Sequence, residues 1–328
     1  MKRLFALLTA LLLLLTACAA PVSRQDREIF AMDTVIQLRV YDRDGAALDR
    51  LEAELMNLSR SLSAEDPAGG LYAINQAGGG TDAAVADLVR RAAALSQRTG
   101  GALDVGLHRA SVAWGFPTGS FTVPSATDLA DLDNRCGMDL ISVSGDTLRL
   151  ENGVELDLGA VAKGHAADRC RAILERAGVS GILSLGGNIQ TVGKKPDGSD
   201  WTVALLDPSD GSSYLMTLSI PGTKAVVTSG DYQRYFERDG VRYCHILDPE
   251  NLSPARSGLR AVTVVADEGF LADGLSTALF VMGRDRGIEF WRASNDFEAV
   301  WVLEDGTVTV TEGLEARTSY ENAEVVRR

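Results

Sequence analysis

The sequence contains few cysteines and few histidines, the residues that form most zinc sites and disulfide frameworks. Four cysteines and three histidines occur in 328 residues. Cys18 directly follows the N-terminal apolar segment and is considered separately, which leaves Cys136, Cys170 and Cys244, an odd number without CxxC spacing. The sequence therefore indicates neither a zinc site nor a disulfide framework.

The chain also lacks an excess of positive charge. Its net charge of −13 argues against nucleic acid as a partner and against electrostatic binding to anionic lipid. No low-complexity tract, internal repeat or long Pro/Ser linker divides the chain, and 45% hydrophobic content suffices for a large core. We therefore expect one continuous folded unit in which a metal, a lysine or a helix N-terminus holds any anionic ligand.

The first residues have the pattern of an export signal. Lys2 and Arg3 precede an apolar run over residues 4–15, which is too short to span a bilayer as a permanent helix. The run ends at Thr16-Ala17-Cys18, which resembles the lipobox of bacterial lipoproteins. We expect residues 1–17 to be removed as a lipoprotein signal peptide and Cys18 to be acylated. Residues 18–28 then form a tether, and residues 29–328 form a single catalytic unit on the extracytoplasmic side of the cell membrane. The alternative is a secretory peptide without lipidation.

The rest of the chain predicts an α+β fold. Helices are predicted by apolar periodicity and end signals at residues 48–62, residues 85–95 behind Thr81-Asp82, residues 160–177 before Gly178, and residues 271–282 before Gly283. Turns at Gly145-Asp146, Asp239-Gly240 and Asp305-Gly306 separate β-rich runs. Because strands and helices come in blocks, we expect largely antiparallel, mixed sheets flanked by helices.

Residues 156–165 form a candidate phosphate-binding junction. The segment leaves a strand at Asp157, turns at Gly159 and enters a helix that carries Lys163. Free N–H groups and the helix dipole favour an anion there, and Lys163 can add a positive charge. The order of Lys163, Gly164 and His165 differs from that of a Walker P-loop. A strand-to-helix turn with a solvated lysine is the alternative.

Asp273 and Thr277 form a candidate cation site. They lie four residues apart on a predicted helix, which places a carboxylate and a hydroxyl on one face. With a backbone carbonyl these oxygens suit Mg²⁺, which keeps positions free for substrate phosphates. An Asp and a Thr at this spacing are also common as a capping or surface feature.

The histidines offer few general-base candidates, and His245 lies in a strand-like run that ends at Asp248-Pro249. By alternation His245 and Leu247 share a face. Glycine-bearing loops at residues 184–188 and 228–232 suit close approach of the backbone to a ligand, or are simply tight turns.

Together these segments resemble the ApbE family of FAD:protein FMN transferases across essentially the whole exported chain. The matching segments follow the family order: Ala31-Met32-Asp33-Thr34, Leu71-Tyr72-Ala73-Ile74-Asn75, Gly101-Ala102-Leu103-Asp104-Val105, Trp114-Gly115-Phe116, residues 157–164, Gly186-Gly187-Asn188, Thr228-Ser229-Gly230, residues 245–249 and residues 272–277. Asp33 and His165 depart from the Gly and Tyr frequent in the family.

The resemblance implies an ApbE-like (T-fold-like) architecture and a set of site residues. It implies that FAD is bound by Met32, Tyr72, Leu103, Asp104, Val105, Asp157, Lys163 and Leu247. It implies that Mg²⁺ is held by Asp273, Thr277 and the carbonyl of Ala160, and that His245 is the catalytic base.

The activity implied is Mg²⁺-dependent transfer of FMN from FAD to a Ser or Thr hydroxyl of a client protein, with release of AMP. The clients implied are flavin-bearing redox subunits. There are two alternatives. An FAD pyrophosphatase would use the same site with water in place of the client hydroxyl and release FMN and AMP. A non-catalytic flavin-binding lipoprotein would leave the Asp273/Thr277 pair unexplained. The sequence identifies neither the client nor the oligomeric state.

Overall fold

The computed structural model describes residues 22–328, so Cys18 and the signal peptide lie outside the described residues. Helices are α1 Ala46–Ser61, α2 Gly70–Ala77, α3 Ala83–Arg98, α4 His108–Trp114, α5 Ala126–Asp133, α6 Gly159–Ala177, α7 Gly269–Met282, α8 Arg284–Arg292 and α9 Glu312–Glu315. Strands are β1 Ser23–Ala31, β2 Thr34–Asp42, β3 Gly79–Thr81, β4 Ile141–Ser144, β5 Thr147–Leu150, β6 Ser180–Leu185, β7 Asn188–Val192, β8 Trp201–Leu206, β9 Tyr214–Ile220, β10 Lys224–Gly230, β11 Tyr235–Arg238, β12 Val241–Cys244, β13 Leu247–Asp248, β14 Ser253–Pro254, β15 Leu259–Ala266, β16 Phe297–Leu303, β17 Val308–Thr311 and β18 Glu324–Val326.

A nine-stranded sheet organises the molecule, in the order β1-β2-β6-β7-β10-β15-β16-β17-β18. Its pairs are antiparallel except β17 with β18. Alternate residues of β10 point to opposite faces of the sheet and belong to two hydrophobic clusters. Val227 packs with the helices, whereas Val226 packs with the β8–β9 hairpin. The sheet is therefore covered on both faces, by helices and by a hairpin, and the predicted α+β class is confirmed.

Most of the predicted helices and turns are present. The periodic apolar residues predicted at 48–62 lie largely within α1. Asp82 caps α3 by accepting hydrogen bonds from the N–H groups of Ala84 and Val85, and Gly178 ends α6 at φ +65. The predicted turns join β4 to β5, β11 to β12 and β16 to β17. No helix within residues 22–328 is long and apolar enough to cross a membrane.

The N-terminal boundary of the folded unit requires correction. Residues 23–28, predicted as part of the tether, are the first residues of β1 and pair with β2 along its whole length. Their outer face carries charged groups such as Asp26 and Glu28, so the segment lacks the apolar alternation of a typical strand. Residues 23–28 therefore belong to the folded unit and not to a tether.

Candidate active site

Two tight turns and the end of a central strand meet at one end of the large sheet. The turn at Met32-Asp33 joins β1 to β2, with both residues at positive φ, and the turn at Gly186-Gly187 joins β6 to β7. A side chain on Gly186 would collide with Thr34, so the two turns touch. Because β10 is antiparallel to β7, its last residues reach the same end of the sheet.

Helices α6 and α7 cross above this end of the sheet in direct backbone contact. A Cβ atom on Gly164 of α6 would collide with the carbonyl oxygen of Gly269 of α7, and one on Gly269 with that of Gly164. Asp168 of α6 accepts hydrogen bonds from the N–H groups of Gly269 (2.8 Å) and Phe270 (2.9 Å) and so caps α7. This cap explains why α7 starts at Gly269, ahead of the predicted Leu271.

The close crossing places the carboxylate of Asp273 against α6. Asp273 is 3% exposed, and the Gly164 N–H donates to its Oδ2 at 2.7 Å. In a regular α-helix that N–H donates to the carbonyl of Ala160, so its bond to Asp273 competes for the donor and favours a free Ala160 oxygen. Burial raises the pKa of Asp273, while Lys163, the Gly164 N–H and Asn188 act in the opposite direction.

Asn188 lies beside this carboxylate, directly after the Gly186-Gly187 turn. It is 3% exposed, and although it is close enough to lower the pKa of Asp273, its Nδ2 makes no hydrogen bond of regular geometry. A buried amide N–H without a partner is costly. We interpret Asn188 as a donor kept available inside the site.

Three hydroxyl groups lie next to Asp273. Thr277 is half-buried one turn further along α7, and its Oγ1 is 3.3 Å from the Oγ of Ser229 on β10. The same Ser229 Oγ is 2.8 Å from the Oγ of the fully buried Ser276. The Ser276 hydroxyl donates to the Asp273 carbonyl at 2.9 Å.

His245 lies within electrostatic reach of Lys163, and Lys163 also acts on Asp273. The His245 ring retains some solvent contact but is densely surrounded, and desolvation, Lys163 and Arg234 together lower its pKa to about 4. Its Nδ1 is 3.2 Å from the Arg234 carbonyl oxygen, a group that can only accept. Nδ1 therefore carries the proton, and Nε2 of the neutral ring keeps a free lone pair.

The predicted strand through His245 is interrupted. β12 ends at Cys244 and Leu247 belongs to the separate pair β13–β14, so the alternation that placed His245 and Leu247 on one face was wrong. Leu247 packs instead in an apolar cluster with Trp114 and Phe236. An open cleft of about 370 Å³, lined by Phe116 and Arg234 among others, lies beside His245.

A short hydrogen-bond network holds Asp157 in front of α6. The Asp157 carboxylate accepts from the Gly159 N–H at 2.8 Å, and the Asp157 N–H donates to the Val105 carbonyl at 2.8 Å. Asn75 of α2 binds both the N–H (2.8 Å) and the carbonyl (2.9 Å) of Leu156. Asp157 is close enough to His245 to act on its pKa.

The predicted flavin-binding residues 103–105 are largely inside the protein. Leu103 and Val105 are core side chains, so any contact they make with a ligand must use the backbone. The Asp104 carboxylate accepts from the N–H groups of Gly106 (2.6 Å) and Met138 (2.9 Å). Burial raises the pKa of Asp104, and these two N–H groups oppose the shift.

The structure thus brings together one part of the predicted site, while the other predicted residues lie on other elements. Lys163, Asp273, Thr277, Asp157 and His245 form a central group around the start of α6. Met32 lies in the β1–β2 turn with its N–H bonded to Ser59 Oγ at 2.8 Å, and Tyr72 is half-buried on α2. Their contacts with FAD remain predictions.

Sequence reasoning assigned no role to Asn75, Asn188, Ser229 or Asp168. Asn75, Asn188 and Ser229 lie inside segments that match the family pattern, and that match was the only indication of a role in the sequence. Their partners are remote in sequence, as in the bonds from Asn75 to Leu156 and from Asp168 to Gly269.

The donor set fits a hard cation. A buried carboxylate, a hydroxyl and a backbone carbonyl are all oxygen donors, which suits Mg²⁺ with positions left for phosphate oxygens. Among residues 22–328 no group of three or more His, Cys, Asp and Glu side chains could hold a metal, and the three cysteines described are free and buried. Fold and site together define a class: an α+β protein in which a buried carboxylate and hydroxyl groups lie beside a lysine near a helix start.

Comparisons with known proteins identify the family. The model of the ApbE family matches residues 32–301. The FAD:protein FMN transferase of Treponema pallidum is 30% identical over 94% of this chain and 92% of its own length, and that of Vibrio cholerae is 32% identical over 85% and 87%. The crystal structure of the ApbE protein of Thermotoga maritima superimposes with a TM-score of 0.83 at 30% identity, covering 89% of this chain and 98% of its own. The chain belongs to the ApbE family, and the ApbE-like architecture is confirmed.

Proposed function

We propose that this protein is an FAD:protein FMN transferase, which moves FMN from FAD to a Ser or Thr hydroxyl of a client protein and releases AMP. Relatives with this name match nearly the whole chain. The observation that carries the proposal is the position of Asp273, buried against the Gly164 N–H and facing Lys163. This arrangement joins an oxygen-donor cation site to a phosphate-binding helix start.

The residues of the site divide the binding task between them. The pyrophosphate of FAD lies against the start of α6, where Lys163 and the helix dipole stabilise its negative charge. Asp273, Thr277 and the carbonyl of Ala160 would hold Mg²⁺. There the ion would neutralise negative charge on the phosphoryl and leaving oxygens.

His245 is the general base of the proposed reaction. Its Nε2 takes the proton of the client hydroxyl, whose oxygen forms a bond to the phosphorus on the riboflavin side as the bond between the two phosphate groups breaks. The Nδ1 contact with the Arg234 carbonyl supports this role, because it leaves Nε2 as the acceptor. The cleft beside His245 is a route by which the client hydroxyl reaches the base.

We also propose that the enzyme acts outside the cytoplasmic membrane, anchored by lipid on Cys18. The N-terminal sequence supports this: basic residues, an apolar run and Thr16-Ala17-Cys18 precede the folded unit. The clients would then be flavin-bearing redox subunits with an exposed Ser or Thr on that side of the membrane.

The decisive experiment measures flavin transfer with and without the Asp273 carboxylate. Purified protein is incubated with FAD, Mg²⁺ and a purified redox subunit, and the products are separated on a denaturing gel. We expect a fluorescent flavin band on the client with the wild type and none with Asp273→Ala, because the only carboxylate of the cation site is gone. Asp285→Ala, at a carboxylate that is 92% exposed, is the matched control and should transfer normally.

The same assay separates the alternatives. Free FMN formed without any client supports a pyrophosphatase, in which water takes the place of the client hydroxyl. FAD recovered intact in the presence of Mg²⁺ and client supports a flavin-binding protein without catalysis. Transfer by Asp273→Ala at the wild-type rate would overturn the metal assignment.

A further inference from the structure

Ser229 is the one hydroxyl group of β10 that faces the cation site. Along the strand Ala225 and Val227 pack with the helices, and Ser229 continues this face to meet Ser276 and Thr277. Thr228 points to the opposite side, where its Oγ1 is 2.8 Å from the Oγ1 of Thr263. Two adjacent hydroxyl residues therefore have separate surroundings, and only Ser229 contacts a proposed metal ligand.

The order of the contacts fixes the direction of every hydrogen bond. The Asp273 carbonyl can only accept, so the Ser276 hydroxyl donates its single proton there. In the 2.8 Å contact between Ser276 and Ser229, the donor must then be Ser229. With its proton used, Ser229 can only accept from Thr277 across 3.3 Å. The proton of the Thr277 hydroxyl consequently points at Ser229.

This direction matters because a hydroxyl binds a cation through its lone pairs. A Thr277 proton turned toward the cation would oppose binding, whereas a proton held by Ser229 leaves the lone pairs for the metal. Groups behind the direct ligands commonly orient them in this way. The series of hydrogen bonds from Thr277 through Ser229 and Ser276 ends at the carbonyl of Asp273. It therefore also connects both proposed side-chain ligands to β10.

We propose that Ser229 is a positioning residue for Mg²⁺, which orients the Thr277 hydroxyl by accepting its proton. The proposal rests on the proposed function, since it takes Thr277 as a metal ligand. It gives a chemical role to the Thr228-Ser229-Gly230 segment, one of the segments that resemble the ApbE family.

The first test is Ser229→Ala in the full-length protein. Mn²⁺ binding is measured by electron paramagnetic resonance on protein with FAD and without client. We expect the Mn²⁺ dissociation constant to rise about 10- to 100-fold, the usual cost of removing a group that orients a metal ligand. The Mg²⁺ concentration for half-maximal transfer should rise in parallel, while kcat at saturating Mg²⁺ changes little because Thr277 is still present.

Thr228→Ala is the matched control. It removes the neighbouring hydroxyl from an equally short hydrogen bond on the other face of β10 and should leave the Mn²⁺ dissociation constant unchanged. Ser229→Thr keeps the hydroxyl and should restore wild-type Mn²⁺ affinity. Thermal unfolding of each variant shows whether the fold is retained.

A double-mutant cycle with Thr277→Val distinguishes orientation from a general structural effect. If Ser229 acts through Thr277, Ser229→Ala weakens Mn²⁺ binding in the wild type but not in the Thr277→Val background. Equal weakening in both backgrounds, or none in either, overturns the proposal. A folded Thr277→Val protein with wild-type Mn²⁺ affinity would instead overturn the metal site of the proposed function and the role of Ser229 with it.

Discussion

At the scale of single residues, the surroundings of His245 decide its chemistry more than its identity does. An unperturbed histidine has a pKa of about 6.5 and would be partly protonated in mildly acidic solution. Desolvation and the charges of Lys163 and Arg234 lower the pKa of His245 to about 4. The ring is therefore neutral over the whole physiological range, as the proposed role of general base requires.

We expect the transfer rate to be insensitive to mild acid. Because His245 is protonated only as the pH falls through its own pKa of about 4, kcat/KM should stay level between about pH 7.5 and pH 5.5. The measurement is a pH profile of transfer at saturating Mg²⁺, with His245→Gln as a slow reference that has no ring to titrate. A loss of half the activity near pH 6.5 in the wild type, absent in the reference, would contradict the lowered pKa.

Residue-level prediction from sequence succeeded where the pattern is local. Asp273 and Thr277 lie on one helix, as their spacing predicts, and Lys163 lies about one turn into α6. The strand predicted ahead of that helix was wrong, because residues 151–158 form no strand. Ser229 and Asn188 have no such pattern, because their neighbours on α7 come from remote parts of the chain. A serine at the end of a strand is chemically informative only after the fold has placed a proposed metal ligand, here Thr277, next to it.

At the scale of elements, apolar periodicity predicted α1 and α3, and Gly or Asp-Gly signals located the turns. The misses have physical causes. β1 carries charges on its outer face and its apolar groups are few, while the start of α7 depends on Asp168, which belongs to another helix. Caps supplied by distant residues leave no local signature.

The crossing of α6 and α7 should tolerate no side chain at Gly164. Alanine is the better helix former by about 1 kcal/mol, yet a Cβ here would collide with the Gly269 backbone and with Cβ of Asp273. We expect Gly164→Ala to lower the free energy of unfolding by about 1–3 kcal/mol, the usual cost of overpacking. Chemical denaturation measures the change, and transfer should fall as well because Asp273 is displaced.

Gly178→Ala is the comparison for this prediction. Gly178 ends the same helix at φ +65 with nothing near its Cβ position. The variant should lose about 1 kcal/mol through backbone strain but keep full transfer activity. A Gly164→Ala protein that is more stable than the wild type, as helix propensity alone predicts, would show that the two helices do not touch at this point.

At the scale of the whole molecule, β1 separates the proposed lipid anchor from the site. The strand starts at Ser23 and ends at Ala31, next to the turn that carries Met32. At about 3.4 Å per residue, a strand of this length extends roughly 30 Å. Only a few residues separate Cys18 from Ser23 in the sequence. The proposed anchor would therefore hold the start of β1 close to the membrane, while the Met32-Asp33 turn lies at the other end of this strand.

Cys18→Ser removes the acceptor of the lipid, so we expect the protein to move from the membrane fraction to the soluble fraction when cells are fractionated. Its transfer to a soluble client should be unchanged, because every proposed site residue lies after Ser23, whereas flavinylation of membrane-bound clients in the cell should fall. Cys136→Ala, at a buried free cysteine, is the control and should stay in the membrane fraction. A Cys18→Ser protein that remains there would show that lipid on Cys18 is not what holds the enzyme.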